Sequence, residues 1–189
     1  WSAGYYGRNS NPSTFVAYGG AENPDPDWYA YIAASKNGSP WSGKGGLGNI
    51  CRDFRYIPTY SYNSTIRYTV PYDSSVSLSL SSFFPSYEAS AGKEYFDGNF
   101  AIYHNNTKVW PTNASWYRIT KETSHAELNA SIAAITLNAK AGDKIYFVAR
   151  QIASGQQPSF SAVPVVHLLT ADVPYVPVGN QTKPDSIWD

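Results

Sequence analysis

Hydrophobic and polar residues alternate along much of this chain. In residues 75–83, SVSLSLSSF, Val76, Leu78 and Leu80 fall on one face and serines on the other. That period of two is the signature of a half-buried strand. Residues 64–72, STIRYTVPY, place Ile66, Tyr68 and Val70 on one face and Arg67 and Thr69 opposite, with Pro71 closing the strand. Residues 99–111, NFAIYHNNTKVWP, predict a hairpin around Asn105-Asn106, since asparagine tolerates the positive φ of a tight turn. A turn at Gly142-Asp143 leads into a strand with Ile145, Phe147 and Ala149 on one face. Residues 160–170, FSAVPVVHLLT, predict a last strand, with Pro164 at an edge or a bulge.

Residues 124–139, SHAELNASIAAITLNA, mix two periods. Their alanines suit a helix, yet Ile135 and Leu137 suit a strand running into the next turn, and the segment is read as strand. Short strands separated by Gly and Pro turns predict an all-β chain folded as a single β-sandwich over residues 1–172. The first 13 residues are expected to be irregular. Residues 173–189 are proline-rich and read as an extended linker or tail.

Composition narrows the function. With 14 basic and 14 acidic residues, the formal net charge is zero. That disfavours nucleic acid and anionic membranes, which need a basic surface. The single Cys51 excludes an intrachain disulfide and a cysteine-based zinc site. No apolar run is long enough for a membrane span. The chain starts at Trp1 and lacks methionine, so it reads as a mature form or a segment of a larger protein.

Residues 39–54, SPWSGKGGLGNICRDF, contain G-x-G-x-x-G at Gly43, Gly45 and Gly48. A dinucleotide site needs a helix after the glycines to hold the pyrophosphate. Here the next residues are NICRDFRYIP, which no helix suits, and Lys44 precedes Gly45 rather than Ser or Thr, as a P-loop requires. The stretch is either a plain surface loop or a flexible arm that presents Trp41.

Three motifs, taken in order, carry a resemblance. IRYTVPYDSSVSLSL runs a strand into Pro, a polar turn and an alternating strand. FAIYHNNTKVWP ends its hairpin on an apolar residue, Trp and Pro. LNAKAGDKIYFVA enters a late strand through Ala-Gly-Asp. Together, over roughly residues 50–170, they resemble jelly-roll accessory modules of secreted or cell-surface bacterial polysaccharide-degrading proteins. The resemblance extends to starch-adherence modules of gut bacteria. It implies a jelly-roll fold, so that the expected fold class is an all-β, single, jelly-roll-like β-sandwich. It also implies a non-catalytic, carbohydrate-binding role, an extracellular or cell-surface location, further domains in the same protein, and a monomer. The chain departs from the pattern in its last strand, where PSFSAVPVVH lacks an acidic residue often found there.

Sugar rings stack on aromatic faces through their C–H groups, and their hydroxyls need polar neighbours. An aromatic content of 16%, with 16 Tyr and 6 Trp, supplies candidates. Loop positions single out Trp41, Trp116, Tyr117, Tyr87 and Tyr60, with Lys44 as a polar partner. Trp28 and Trp110 lie in strand-like segments and are assigned to the core. The expected ligand is a neutral polysaccharide, with starch or another α-glucan as the first choice. The alternative is a structural spacer or adhesin sandwich whose aromatics only fill the core.

Catalysis is not expected. Glu88, Glu94 and Asp97 cluster, and Asp25 and Asp27 flank Pro26, but none lies in a catalytic carboxylate motif. His104, His125 and His167 have no ligand spacing, and G-x-S-x-G is absent. His167, among apolar residues, is expected in the core or at its rim. No cofactor is expected, although the oxygen-rich turns YFDGN and NPDPD leave room for a structural calcium ion. Asn63, Asn105, Asn113, Asn129 and Asn180 each begin an N-x-Ser/Thr triplet.

Overall fold

The computed structural model describes residues 1–17, 49–50, 55–85, 98–153 and 160–169. Two antiparallel sheets face each other. The larger carries β1 (Ser2–Gly7), β2 (Val16–Ala17), β5 (Tyr62–Thr69), β7 (Gly98–His104), β8 (Thr107–Trp110), β9 (Tyr117–Ile119) and β11 (Lys144–Gln151). Its order is β2-β1-β5-β11-β7-β8, with β9 also paired to β7. The smaller carries β3 (Asn49–Ile50), β4 (Arg55–Ile57), β6 (Ser74–Pro85), β10 (Thr136–Ala139) and β12 (Phe160–Leu169), in the order β10-β6-β12-β4-β3. Successive strands β5, β6 and β7 alternate between the sheets, as do β10, β11 and β12, which gives the sandwich its jelly-roll-like path.

The inward positions of the alternating strands make the core. Val76, Leu78 and Leu80 of β6 are buried, as are Ile66 of β5 and Ile145, Phe147 and Ala149 of β11. At one end the aromatic rings lock together. Tyr56 stacks on Phe160 at 5.4 Å, and Phe100 meets both rings edge-on at 5.7 and 5.6 Å. Trp110 is buried against Phe100 and belongs to the core, as its strand position implied.

The hairpin turns where the asparagines predicted. Asn105 adopts φ 53° and Gly142 φ 88°, and both lie in the left-handed region. Their two turns are joined. Asn105 Nδ2 donates to Asp143 Oδ1 at 2.9 Å, and His104 Nε2 donates to Asp143 Oδ2 at 2.8 Å. The backbone N–H of Lys140 donates to the same Oδ2 at 2.9 Å. These three donors hold the Asp143 carboxyl at about 2, below its ordinary range; the Lys140 N–H contributes most, then Asn105.

Three expectations need correction. Ser2–Gly7 forms strand β1 rather than irregular chain, because it pairs with β5 along its whole length. The segment read as strand opens as a helix, α1 (His125–Ala133), and only then becomes β10. Ser124 caps it, its side chain accepting from the Glu127 N–H, and Leu128 and Ile132 bury one face at a spacing of four. His167 is exposed on the outer side of the smaller sheet, with Nε2 3.4 Å from Ser79 Oγ, rather than in the core or at its rim.

Pro164 meets its expectation. It sits at a register shift between β12 and β6, beyond the two residues of β12 that pair with β4. A missing N–H costs nothing at such a place.

Candidate functional site

The site arises from how β7 is shared. β8 pairs with residues 102–104 of β7, and β9 pairs with residues 98–100. Two strands therefore lie end to end along one side of a third. The connection between them, residues 111–116, must leave the sheet and return. An open depression of about 530 Å³ lies against it, lined by Tyr103, Lys108, Thr112, Asn113, Ala114, Ser115 and Trp116.

Each lining group has a local cause. Tyr103 and Lys108 are register partners across the hairpin, so both project from the outer face of the larger sheet. The bulge between Ile102 and Tyr103 sets that register. Lys108 Nζ donates to the carbonyl of Pro111 at 2.6 Å and to that of Ala114, which anchors the connection over the sheet. Trp116 then leans on Tyr103, with ring centroids 6.4 Å apart and planes at 60°. On its other contact, the Arg150 guanidinium lies 5.3 Å from the Trp116 ring centre.

The floor beside these rings is well packed. Tyr6, Tyr146 and Val148 form a second buried cluster on this outer face, with Phe15, Tyr103 and Trp116 against it. Burial raises the Tyr103 and Tyr146 hydroxyls above their ordinary value, so both are protonated near neutral pH. Two polar atoms on this face, Asn63 Oδ1 and Thr65 Oγ1, are buried without a hydrogen-bond partner. Chemically the depression offers two aromatic walls, one ammonium, and the hydroxyls and amide of Thr112, Ser115 and Asn113. That set suits a partly apolar, hydroxyl-rich ligand better than a flat apolar one.

The sequence candidates separate here. Trp116 lines the depression. Tyr117 does not. It begins β9, alternates to the opposite face and stacks on Trp110 at 5.0 Å, 25° from parallel. Tyr60 is exposed at the end of the sheet where β5 begins, with the Arg8 guanidinium 4.6 Å from its ring centre. It does not line the depression. Trp41, Lys44, Tyr87 and Trp28 lie outside the described residues, as do the NPDPD turn and most of YFDGN. Among the described residues no group of three or more His, Cys, Asp or Glu is placed to hold a metal ion. No described helix is long and apolar enough to cross a membrane.

Of the lining residues, sequence reasoning singled out Trp116 alone; it missed Tyr103, Lys108 and the polar run at residues 112–115. Tyr103 sits in a strand, where an aromatic residue reads as core. Alternation with Ile102 put Tyr103 on the other face of its strand, but which face is outward is set by the packing of the two sheets.

No family model matches the chain, and no curated protein matches it. Among solved structures, the chain is similar to a family GH115 4-O-methyl-alpha-glucuronidase with specificity for decorated arabinogalactans. The identity is 12% and the TM-score 0.31, over 66% of this chain and 16% of that one. A likeness this distant bears on no residue of the site, and this chain spans a small part of that enzyme's length.

Proposed function

We propose that the protein is a non-catalytic carbohydrate-binding module that takes a glycan at the Trp116 depression. The observation that carries this reading is the pairing of Trp116 with Tyr103 above polar groups in an open recess. One sugar face stacks on the indole while its hydroxyls reach Asn113, Ser115 and the tyrosine hydroxyl. An open recess suits a chain passing across it. The described residues lining it include no carboxylate, and glycoside hydrolysis needs two. A polysaccharide ligand fits the extracellular or cell-surface setting that the sequence motifs imply, and starch is the neutral chain to try first.

A titration across soluble glycans, paired with pull-downs on insoluble ones, tests this. The expected result is weak binding to at least one glycan, with Trp116→Ala lowering the affinity at least tenfold, about 1.4 kcal/mol. Absence of binding to every glycan would overturn the proposal and favour a structural spacer, in which Trp116 only packs on Tyr103 and Arg150.

A further inference from the structure

One cation lines the depression and a second lies against its Trp116 wall, and neither has an acidic partner among the described residues. Lys108 lines it and spends its hydrogen bonds on the carbonyls of Pro111 and Ala114, which leave its charge unneutralised. Arg150 is half-buried and lies over the Trp116 ring. No ion pair joins it to a described carboxylate. Its neighbours are the hydroxyls of Tyr6 and Tyr103 and a second cation, Arg8. Desolvation first, and then repulsion from Arg8, depress the pKa of its guanidinium below the usual value. A charge held under those conditions gains from any anion that reaches it.

The described carboxylates are placed elsewhere. Asp73 and Asp143 serve the turn at residues 140–143. Glu122 lies beside Lys121, and Glu127 is in the first turn of α1.

We propose that the ligand of the depression is an acidic glycan, whose ring lies on Trp116 and whose carboxylate or sulfate groups are drawn by Lys108 in the lining and by Arg150 beside the indole. This rests on the glycan-binding reading above. It refines the ligand from a neutral chain to an anionic one. Arginine is suited to the task, since its planar fork matches the two oxygens of a carboxylate or sulfate while its face stays on the indole.

Two matched pairs of probes separate charge from sugar. One is a tetrameric oligogalacturonate against the same oligosaccharide with its carboxyls reduced to alcohols. The other is dextran sulfate against dextran. Binding is measured by calorimetry at low salt and at high salt. The acidic member of at least one pair is expected to bind at least tenfold tighter than its neutral counterpart, with the difference shrinking at high salt. The pair that responds tells carboxylate from sulfate. Arg150→Gln is expected to remove most of the difference, and Arg150→Lys to retain part of it. Should Arg150→Gln fail to fold, the comparison on the unaltered protein decides. Equal affinity within both pairs, or tighter binding of the neutral members, overturns the acidic ligand and leaves the glycan-binding reading standing. No binding to any probe or to any neutral glycan overturns both.

Discussion

Tyr117 lies against Trp110, ring centroids 5.0 Å apart and planes 25° from parallel, and this contact turns it away from the surface that its neighbour Trp116 lines. Adjacent residues of an extended chain point to opposite sides. A Trp-Tyr pair at the start of a strand therefore divides its labour between surface and core.

The division is measurable. Tyr117→Ala removes a ring from the sandwich and is expected to cost about 2–3 kcal/mol of stability, with glycan affinity unchanged. Trp116→Ala is expected to do the reverse, lowering affinity while costing under about 1 kcal/mol of stability. Urea unfolding and calorimetric titration of both variants check this. If Trp116→Ala destabilised as much as Tyr117→Ala with no loss of binding, the site assignment would fail.

Acid sensitivity is expected to come from Asp143. Its carboxyl is held at about 2, against an ordinary value of 3.8, by the Lys140 N–H, Asn105 and His104. A depressed folded pKa contributes stability that is fully present above the unfolded value and is lost as pH falls toward the folded one. The contribution is therefore intact above about pH 4 and mostly gone near pH 2. Its size, discounted for partial exposure, is about 1–2 kcal/mol. Asp73 acts in the same direction, lowered first by the Ala141 N–H and then by Lys140. Asp143→Asn keeps the shape but not the charge. Its stability deficit against the unaltered protein, from urea midpoints, is expected at about pH 7 and to shrink toward zero by about pH 2. A deficit that stays constant over that range would show that the charge plays no part.

Much of the sandwich was legible because it rests on a simple period. Val76, Leu78 and Leu80 face inward, and every second residue outward, because a strand leaves no other arrangement. Asn105 and Gly142 marked their turns because few residues tolerate a positive φ. The strand β1 was not legible, since SAGYYG has no clean alternation and is held by its pairing with β5. The helix α1 was missed because Ile132 ends its buried stripe while Ile135 and Leu137 belong to the run into β10, and the two patterns blur together. The Ser124-to-Glu127 cap was the signal that would have parted them. At the site, loop position found Trp116, but the outward face of Tyr103 depended on which side of the sheet was already occupied. Arg150 was invisible for the same reason. Its contact with Trp116 joins two residues that are far apart in sequence, one on β11 and the other in the connection before β9.

Two glycines are expected to fail for different reasons when changed to alanine. At Gly142 the space is open, but φ is 88°, so Gly142→Ala costs about 1 kcal/mol through the backbone alone. At Gly4 a Cβ would overlap the Val16 carbonyl and lie 2.6 Å from the Phe15 ring. Gly4→Ala must therefore separate β1 from β2 and lift Phe15 off Arg67, whose guanidinium lies 4.2 Å from that ring centre. The larger loss of thermal stability is expected at Gly4, together with a change in the near-ultraviolet aromatic signal that Gly142→Ala leaves untouched. The opposite ranking would mean that β2 yields easily.

The helix α1 completes an edge that β10 leaves open. β10 pairs with β6 only at residues 74–77. Beyond it, the backbone of the buried Leu80 would be bare on that side. Asn129 Oδ1 accepts from the Leu80 N–H at 2.6 Å, and His125 Nε2 donates to the Leu80 carbonyl at 3.0 Å. Two side chains one helical turn apart thus take the place of one residue of a paired strand. Asn129→Ala strands a buried N–H, and the expected cost is about 1–3 kcal/mol. Ser131→Ala, which alters the same N-x-Ser triplet but removes only a bond to the helix's own Leu128 carbonyl, is expected to cost less than about 0.5 kcal/mol. Hydrogen exchange at the Leu80 amide gives a direct reading, since it should accelerate in Asn129→Ala and not in Ser131→Ala. Unchanged protection in Asn129→Ala would mean that another acceptor replaces the amide oxygen, and that the helix shields this edge by packing Leu128 and Ile132 into the core.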